Sequence, residues 1–487
     1  MRLPLLLALL GAVIASMVPA LADNVRIREA DAISSRTWSG SRPAADRVPA
    51  MPSPEDLPAD DAEAEALLEA AIDAAVEARL AGIPRPRYIP ATDLAGPRGL
   101  VLFKEPPDSG GFPFALAIGG FLQLRWLEFA RGTTEWTNAA GTTLPVRNLN
   151  VFSLNRYLLS FTGHVVDERL LYAFAIFGTS NPGIQSGVVP IGMVGWKFGP
   201  EAILGGGMTI VPGTREWVDS NSWTVGVDRS MANTFFRPGY SPGVLALGAL
   251  FEERFHYQAG IWNAIDGSAG GVLRRGTSMA FAGNVWWEPL APFGLGFGDM
   301  EHHDEAAVRV GTSGTYARTY AQILPTLNPE NTIVRLSDGT PLAAAGALGP
   351  DSQVDAYRYH LSSVDAGWKW RGVGLGFEYY FRMLDDFTGS GTFTRSSVFD
   401  HGGMGYLSWC FLPRRAEVYG RSSVVTGPFG TGQEYGGGLN WYVNGSRQGR
   451  FTVEALSILR SPTQAILYPY RAGATGTAIQ TQFMIVF

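Results

Sequence analysis

The chain has 487 residues, of which 17% are charged and 12% aromatic, with 60 glycines and a formal charge of −6. The apolar content argues against a wholly disordered chain, and no basic stripe of the kind that binds nucleic acid is present. Cys410 is the only cysteine, so no intramolecular disulfide staples the fold and the thiol reads as a small wall residue. Only Lys104, Lys197 and Lys369 are lysines among 38 basic residues. Arginine therefore supplies nearly all the positive charge, in a fork suited to oxyanions.

Residues 1–22 read as a secretory signal peptide. Arg2 starts it, Leu5 to Ile14 form its apolar centre, and Ala20-Leu21-Ala22 is a small-x-small cleavage site. Beyond it no run of 18 apolar residues follows, so no helical membrane span is expected. Residues 23–111 form an N-terminal segment with 16 acids and 10 bases, expected on the periplasmic side. Its first part, to residue 60, is rich in Pro, Ala and Ser and reads as disordered. Residues 61–81 lack Gly and Pro, and Leu68, Ile72, Val76 and Leu80 recur every four residues, which predicts an amphipathic helix. It is either a short coiled coil between protomers or a lone solvated helix. Pro84, Pro86, Pro90 and Pro97 then make a stiff linker.

From residue 112 to 487 the pattern has a period of two. Leu116, Ile118, Leu122, Leu124 and Trp126 share one face of the first long strand, and Ala117, Gly119, Gln123 and Arg125 share the other. Short turns fall near Asp167-Glu168-Arg169, Gly199-Pro200-Glu201, Glu252-Glu253, Arg371-Gly372, Pro413-Arg414-Arg415 and Gly445-Ser446, with a longer link from Glu288 to Glu305. Long loops fall at 131–150, 178–190, 213–241, 264–276, 317–358, 384–402, 425–434 and 461–475. Eight loops and seven links predict about sixteen strands with both ends on one side. The expected fold is all-β: a transmembrane antiparallel β-barrel in the outer membrane of a Gram-negative-type bacterium. Sixteen strands leave room for an aqueous channel. Trp286-Trp287, Trp368, Trp370, Tyr379-Tyr380 and Trp441-Tyr442 are expected at strand ends, as interfacial girdles.

The segment from Gly213 to Gly243 carries Arg215, Trp217, Arg229, Phe235, Phe236, Arg237 and Tyr240, and is too aromatic for a loop in water. Folded into the lumen, it would satisfy its backbone and narrow the pore. Arg215, Arg229 and Arg237 would then place positive charge at the constriction, which favours anions. Arg125 has the lumen-facing parity. Arg156 shares parity with Phe152, Leu154 and Leu158, so it needs a bulge to turn inward. The alternative is that these arginines pin the loop to acidic wall residues, or are neutralised by Asp219 and Asp228.

The last strand alternates, with Phe483, Ile485 and Phe487 on one face and Gln480 and Gln482 on the other. It resembles the closing strand of outer-membrane barrels, whose terminal Phe, here Phe487, is read by the barrel assembly machinery. Four stretches resemble the phosphate-selective porin O and P family: Gly119–Phe129 (GGFLQLRWLEF), Phe152–Gly178 (FSLNRYLLSFTGHVVDERLLYAFAIFG), Leu204–Asp266 and Glu454–Phe487. The resemblance implies a passive channel for small anions, including phosphate, an outer-membrane lipid environment, a homotrimer, and no cofactor or enzymatic activity. The family's separate lysine cluster has no counterpart here. A porin for another solute such as a carbohydrate, a structural or adhesive barrel, and an outer-membrane enzyme are the alternatives. No Gly-rich phosphate loop or Gly-x-Ser-x-Gly elbow occurs. His302-His303-Asp304-Glu305 holds metal-ligand types, but adjacent side chains point apart, so no metal site is expected.

Overall fold

The computed structural model describes residues 87–89, 99–105, 113–180, 189–267, 279–322, 328–465 and 467–487. The signal peptide, the stretch to residue 60, the helix at 61–81 and the linker prolines Pro84, Pro86, Pro90 and Pro97 lie outside the described residues. The strands are β1 (Arg87–Ile89), β2 (Gly99–Lys104), β3 (Phe114–Arg131), β4 (Glu135–Thr137), β5 (Thr143–Pro145), β6 (Leu149–Val165), β7 (Asp167–Gly178), β8 (Val189–Gly199), β9 (Ala202–Ile210) and β10 (Tyr240–Leu250). They continue as β11 (Phe255–Trp262), β12 (Ala280–Trp287), β13 (Ala307–Tyr320), β14 (Gln353–Trp370), β15 (Val373–Ser390), β16 (Ser397–Leu412), β17 (Ala416–Gly427), β18 (Gly430–Tyr442), β19 (Gly449–Leu459) and β20 (Gly476–Val486).

The main sheet has 18 strands, and β1 and β2 lie outside its ring, so 18 − 2 gives sixteen barrel strands, each antiparallel to the next. The ring closes where β20 pairs with β3, from Gly476↔Arg131 to Val486↔Phe121. Phe487 exchanges two backbone hydrogen bonds with Gly120 at that seam. Below it β2 pairs with Ala115 to Ile118 on the same edge of β3, so it takes up the edge that β20 leaves open. In the sequence Gly99–Lys104 falls in the N-terminal segment before the barrel. Its Leu-Val-Leu-Phe run is a strand because the open edge of β3 is there to pair with it.

Outward positions carry an apolar band. Leu124, Phe174, Val194, Leu204, Val244, Phe281, Val364, Phe377 and Ile485 are all exposed on the strand faces. An apolar outer band around a closed barrel is what a bilayer requires. Inward positions are polar, with Gln123, Arg125, Gln480 and Gln482 buried as their parity predicts. Arg156 also turns inward, through the bulge its parity demanded: Gln123 pairs with Arg156 and Leu124 with Leu154, so the register skips Asn155. Trp287, Trp370 and Trp409 stand exposed near the short-turn ends of their strands, as a girdle should.

Three expectations need correction. The loop expected at 425–434 is a two-residue turn between β17 and β18, with Gly430 at a φ of +148°. Gly427 and Gly430 flank that tight turn and pair with each other. The loop expected at 384–402 shrinks to residues 391–396 because Asp385 and Asp386 belong to β15. Their charges stay satisfied there by Arg358 and Arg318. Tyr379 and Tyr380 lie within β15 rather than at its end, and Tyr380 points inward, fully buried.

Candidate functional site

Between β9 and β10 the chain leaves the wall and folds into the lumen. It forms α1 (Arg215–Val218), a 3-10 turn (Asn221–Trp223) and α2 (Met231–Phe236). Each short helix starts on a residue suited to cap it: Thr214 accepts from Trp217 N, and Ser230 accepts from Asn233 N. Other amide donors of the first turns find wall side chains, mostly carboxylates. Arg215 N and Glu216 N donate to Glu378 of β15, and Met231 N donates to Glu434 of β18. Gly226 allows the loop to lie against the wall, since a Cβ there would sit 2.5 Å from Glu454 Oε2.

Four of the five arginines singled out in the sequence come together. Arg125 Nη2 lies 2.6 Å and Arg156 Nη1 2.7 Å from the same Asp228 oxygen. Arg156 Nε lies 2.5 Å from Glu330, a residue of the β13–β14 loop. Arg229 and Arg237 each approach Glu330 Oε2 at 3.5 Å, and Tyr468 OH donates to it at 2.9 Å. The indole of Trp217 stacks under both, with guanidinium carbons 4.7 Å (Arg229) and 3.8 Å (Arg237) from its ring centre. Arg215 stands apart, 3.4 Å from Asp219 and 3.6 Å from Asp365, over the ring of Phe297. All five are 4% exposed or less. Each arginine has a carboxylate within 4 Å, the pairing that the sequence left open as the alternative, because burying an unpaired charge costs too much. Asp219 pairs with Arg215 and Asp228 with Arg125 and Arg156 of the wall, whereas Arg229 and Arg237 share Glu330.

The electrostatics follow. Burial raises the Asp228 carboxyl, but Arg156 and Arg125 outweigh it and hold it well below the usual carboxylate range. Burial also acts on Glu330, and Arg156, Arg229 and Arg237 again win, so it too is lowered. Glu216 is different: burial pushes it up to about 7, only partly offset by hydrogen bonds from Ser230 and by Arg421 and Arg229. Among the described residues the buried set holds ten cations and eleven carboxylates, a formal balance of −1. The cluster of Arg125, Arg156, Arg229 and Arg237 against Asp228 and Glu330 is locally +2 (four minus two).

A second inward segment comes from the other mouth. The 288–306 link between β12 and β13 rises into the lumen, where Lys369 Nζ donates to Phe293 O and Leu295 O at 3.0 and 2.8 Å. Phe297 N donates to Trp223 O, so the two inward segments meet. The cavity at this seam, lined by Glu216, Gly226, Asp228, Phe297 and Arg421 among others, measures about 10 Å³. That is room for about one water.

At the foot of the link His303 Nδ1 lies 2.5 Å from Asp299, whose other oxygen accepts from Gly372 N at 2.7 Å. No metal group forms among the described residues. The hydrogen bond to Asp299 raises His303 above its ordinary 6.5; Asp299, raised by burial, is brought below its ordinary 3.8 by His303 and the Gly372 amide. A raised His stabilises below about 6.5 and loses that as pH rises through its folded value; a lowered Asp stabilises above about 3.8 and loses that as pH falls. The link is therefore held best between these values. Amide exchange of residues 297–303, corrected for intrinsic rate, is expected to rise between pH 6 and pH 8, and His303→Ala is expected to abolish that change. An unchanged profile in the variant refutes the pairing as a latch.

Sequence reasoning missed Glu330, Asp365, Glu378, Glu434, Glu454, Tyr468 and Tyr470. For Asp365, Glu378, Glu434 and Glu454 a signal existed, since a carboxylate mid-strand in a membrane wall must face the lumen. Glu330, Tyr468 and Tyr470 lie in loops, where parity says nothing.

No family model and no curated protein matches the chain. Solved structures do. OmpT of Vibrio cholerae aligns over 79% of this chain and 100% of its own, at 11% identity and a TM-score of 0.45. An anion-selective porin from Comamonas acidovorans aligns over 77% and 100%, at 12% and 0.45. The outer membrane channel DcaP of Acinetobacter baumannii aligns over 79% and 99%, at 10% and 0.44. A likeness at this level concerns the kind of fold alone.

Proposed function

We propose that the chain is an outer-membrane channel of the porin class for small anions, with phosphate as the finer reading. It rests shut and conducts when the inward loop moves off the wall. The observation that carries this is the arginine cluster where the inward loop meets the wall, with Arg229 and Arg237 from the loop and Arg125 and Arg156 from β3 and β6, four guanidiniums against two carboxylates. A sixteen-stranded ring is wide enough for a channel once its filling shifts. Excess positive charge in the narrowest place favours anions. With this reading go a homotrimer, a periplasmic N-terminal segment, and Phe487 as the assembly signal.

A second reading, a barrel that does not conduct, is favoured by filling from both mouths. Planar bilayers under a KCl gradient separate the two. The test compares the wild type with a variant in which residues 214–237 are replaced by a short Gly-Ser linker. The wild type is expected to show rare openings of anion-selective sign, blocked by millimolar phosphate, and the variant a large steady current. Silence from both proteins, shown to be folded by heat-modifiable gel mobility, sinks the channel. Current that is cation-selective or indifferent to phosphate keeps the channel and discards phosphate.

A further inference from the structure

Glu330 occupies an unusual place. Its Oε1 takes Arg156 Nε at 2.5 Å, and its Oε2 takes Tyr468 OH at 2.9 Å with Arg229 Nη1 and Arg237 Nη2 at 3.5 Å. Three guanidiniums and a phenol thus surround one carboxylate from two sides, which is how a protein binds a free oxyanion. The walls of this cage come from elsewhere in the chain: Arg156 from β6, Arg229 and Arg237 from the inward loop, Tyr468 from the β19–β20 loop. Only the carboxylate comes from the β13–β14 loop. It is carried by a small turn of its own, in which Glu330 N donates to Asn328 Oδ1 and Asn331 N to Asn328 O.

The cage residues have supports other than the Glu330 carboxylate. Trp217 backs Arg229 and Arg237, and Arg156 lies 5.1 Å over the ring of Tyr468. Arg156 is also held by Asp228. The donors outnumber what one carboxylate accepts: the buried Arg237 Nε and Trp217 Nε1 have no hydrogen-bond partner. Buried donors of this kind are normally satisfied, and a larger oxyanion brings more acceptors.

We propose that Arg156, Arg229, Arg237 and Tyr468 form an oxyanion-binding site, and that Glu330 is its tethered occupant, a built-in competitor that a small carboxylate or phosphate must displace. This rests on the channel reading for its role in permeation, but not for binding itself. A tethered competitor acts at an effective concentration of about millimolar. It weakens the apparent affinity of the free ion by the fraction of time the cage is vacant.

The test compares the wild type with Glu330→Ala and Glu330→Gln in detergent and in bilayers, with sodium acetate and inorganic phosphate as probes. Glu330→Ala is expected to gain a rise in heat-modifiability temperature with either anion, at concentrations about tenfold below those the wild type needs. Its openings should be more frequent, and blocked by the same concentrations. Glu330→Gln, which keeps the shape and drops the charge, should fall between, and it carries the test if the alanine variant does not fold. Equal anion response in wild type and both variants overturns the proposal: Glu330 is then a strut. If at the same time the loop-replaced barrel conducts, the channel reading stands without it. If that barrel is silent while Glu330→Ala gains anion binding, the site stands and the channel reading falls.

Discussion

Asp228→Ala is expected to lower barrel stability by about 3–5 kcal/mol, the usual cost of stranding a buried charge by removing its partner. The carboxylate takes Arg125 at 2.6 Å and Arg156 at 2.7 and 3.0 Å, and all three side chains are 2% exposed or less. Removing it leaves two guanidiniums close together in a place water scarcely reaches. Arg421 keeps its bond to the Asp228 backbone carbonyl, so the loop stays tethered at one point. The readouts are the urea midpoint in lipid vesicles and the temperature at which the compact gel band unfolds. The single variant Arg156→Ala should also destabilise. Added to Asp228→Ala, it should cost much less than it does alone, because the charge it removes is already stranded. Full additivity of the two refutes the shared network.

The second large effect is expected at Asp400→Ala, again about 3–5 kcal/mol. Arg382 and Asp400 face each other across β15 and β16 at 2.7 Å, both completely buried. Arg382 also donates to Phe235 O of α2 and to Arg335 O, and its guanidinium lies 4.0 Å over the Phe235 ring. One arginine thus ties the wall to the inward loop and to the β13–β14 loop, and Asp400 is what neutralises it. Amide exchange in 231–237 should rise along with the loss of stability. A drop in stability with unchanged exchange there would show that the pair holds only the wall.

The barrel was legible in the sequence because a membrane wall obeys one rule residue after residue. Leu124 out and Arg125 in, Phe483 out and Gln482 in, follow from parity alone. The bulge at Asn155 was legible for the same reason, since Arg156 stood on a face no arginine tolerates. The inward loop was visible in its mismatch of aromatic content with a loop's position. What the arginines would meet was not visible. Pairing in a lumen depends on which strands stand opposite, and Arg156 meets Glu330 across 174 positions. Neither carries a sequence mark of the other. The 288–306 link reads as a plain connection, since nothing in it names its partners; Lys369, Arg447 and Trp223 hold its backbone in the lumen.

The wall is uneven in height, and the lipid must answer for it. β11 and β12 have 8 residues each, whereas β14 and β15 have 18. At about 3.4 Å per residue and a tilt of about 40°, that is a fence roughly 21 Å tall on one flank and roughly 47 Å on the other. A hydrocarbon layer of about 30 Å falls short of the tall flank and overtops the short one. Acyl chains beside β11 and β12 must shorten, or the whole barrel must lean, at a fraction of a kcal/mol for each ångström of mismatch. Either way the mismatch is fixed to one side of the barrel and turns with it.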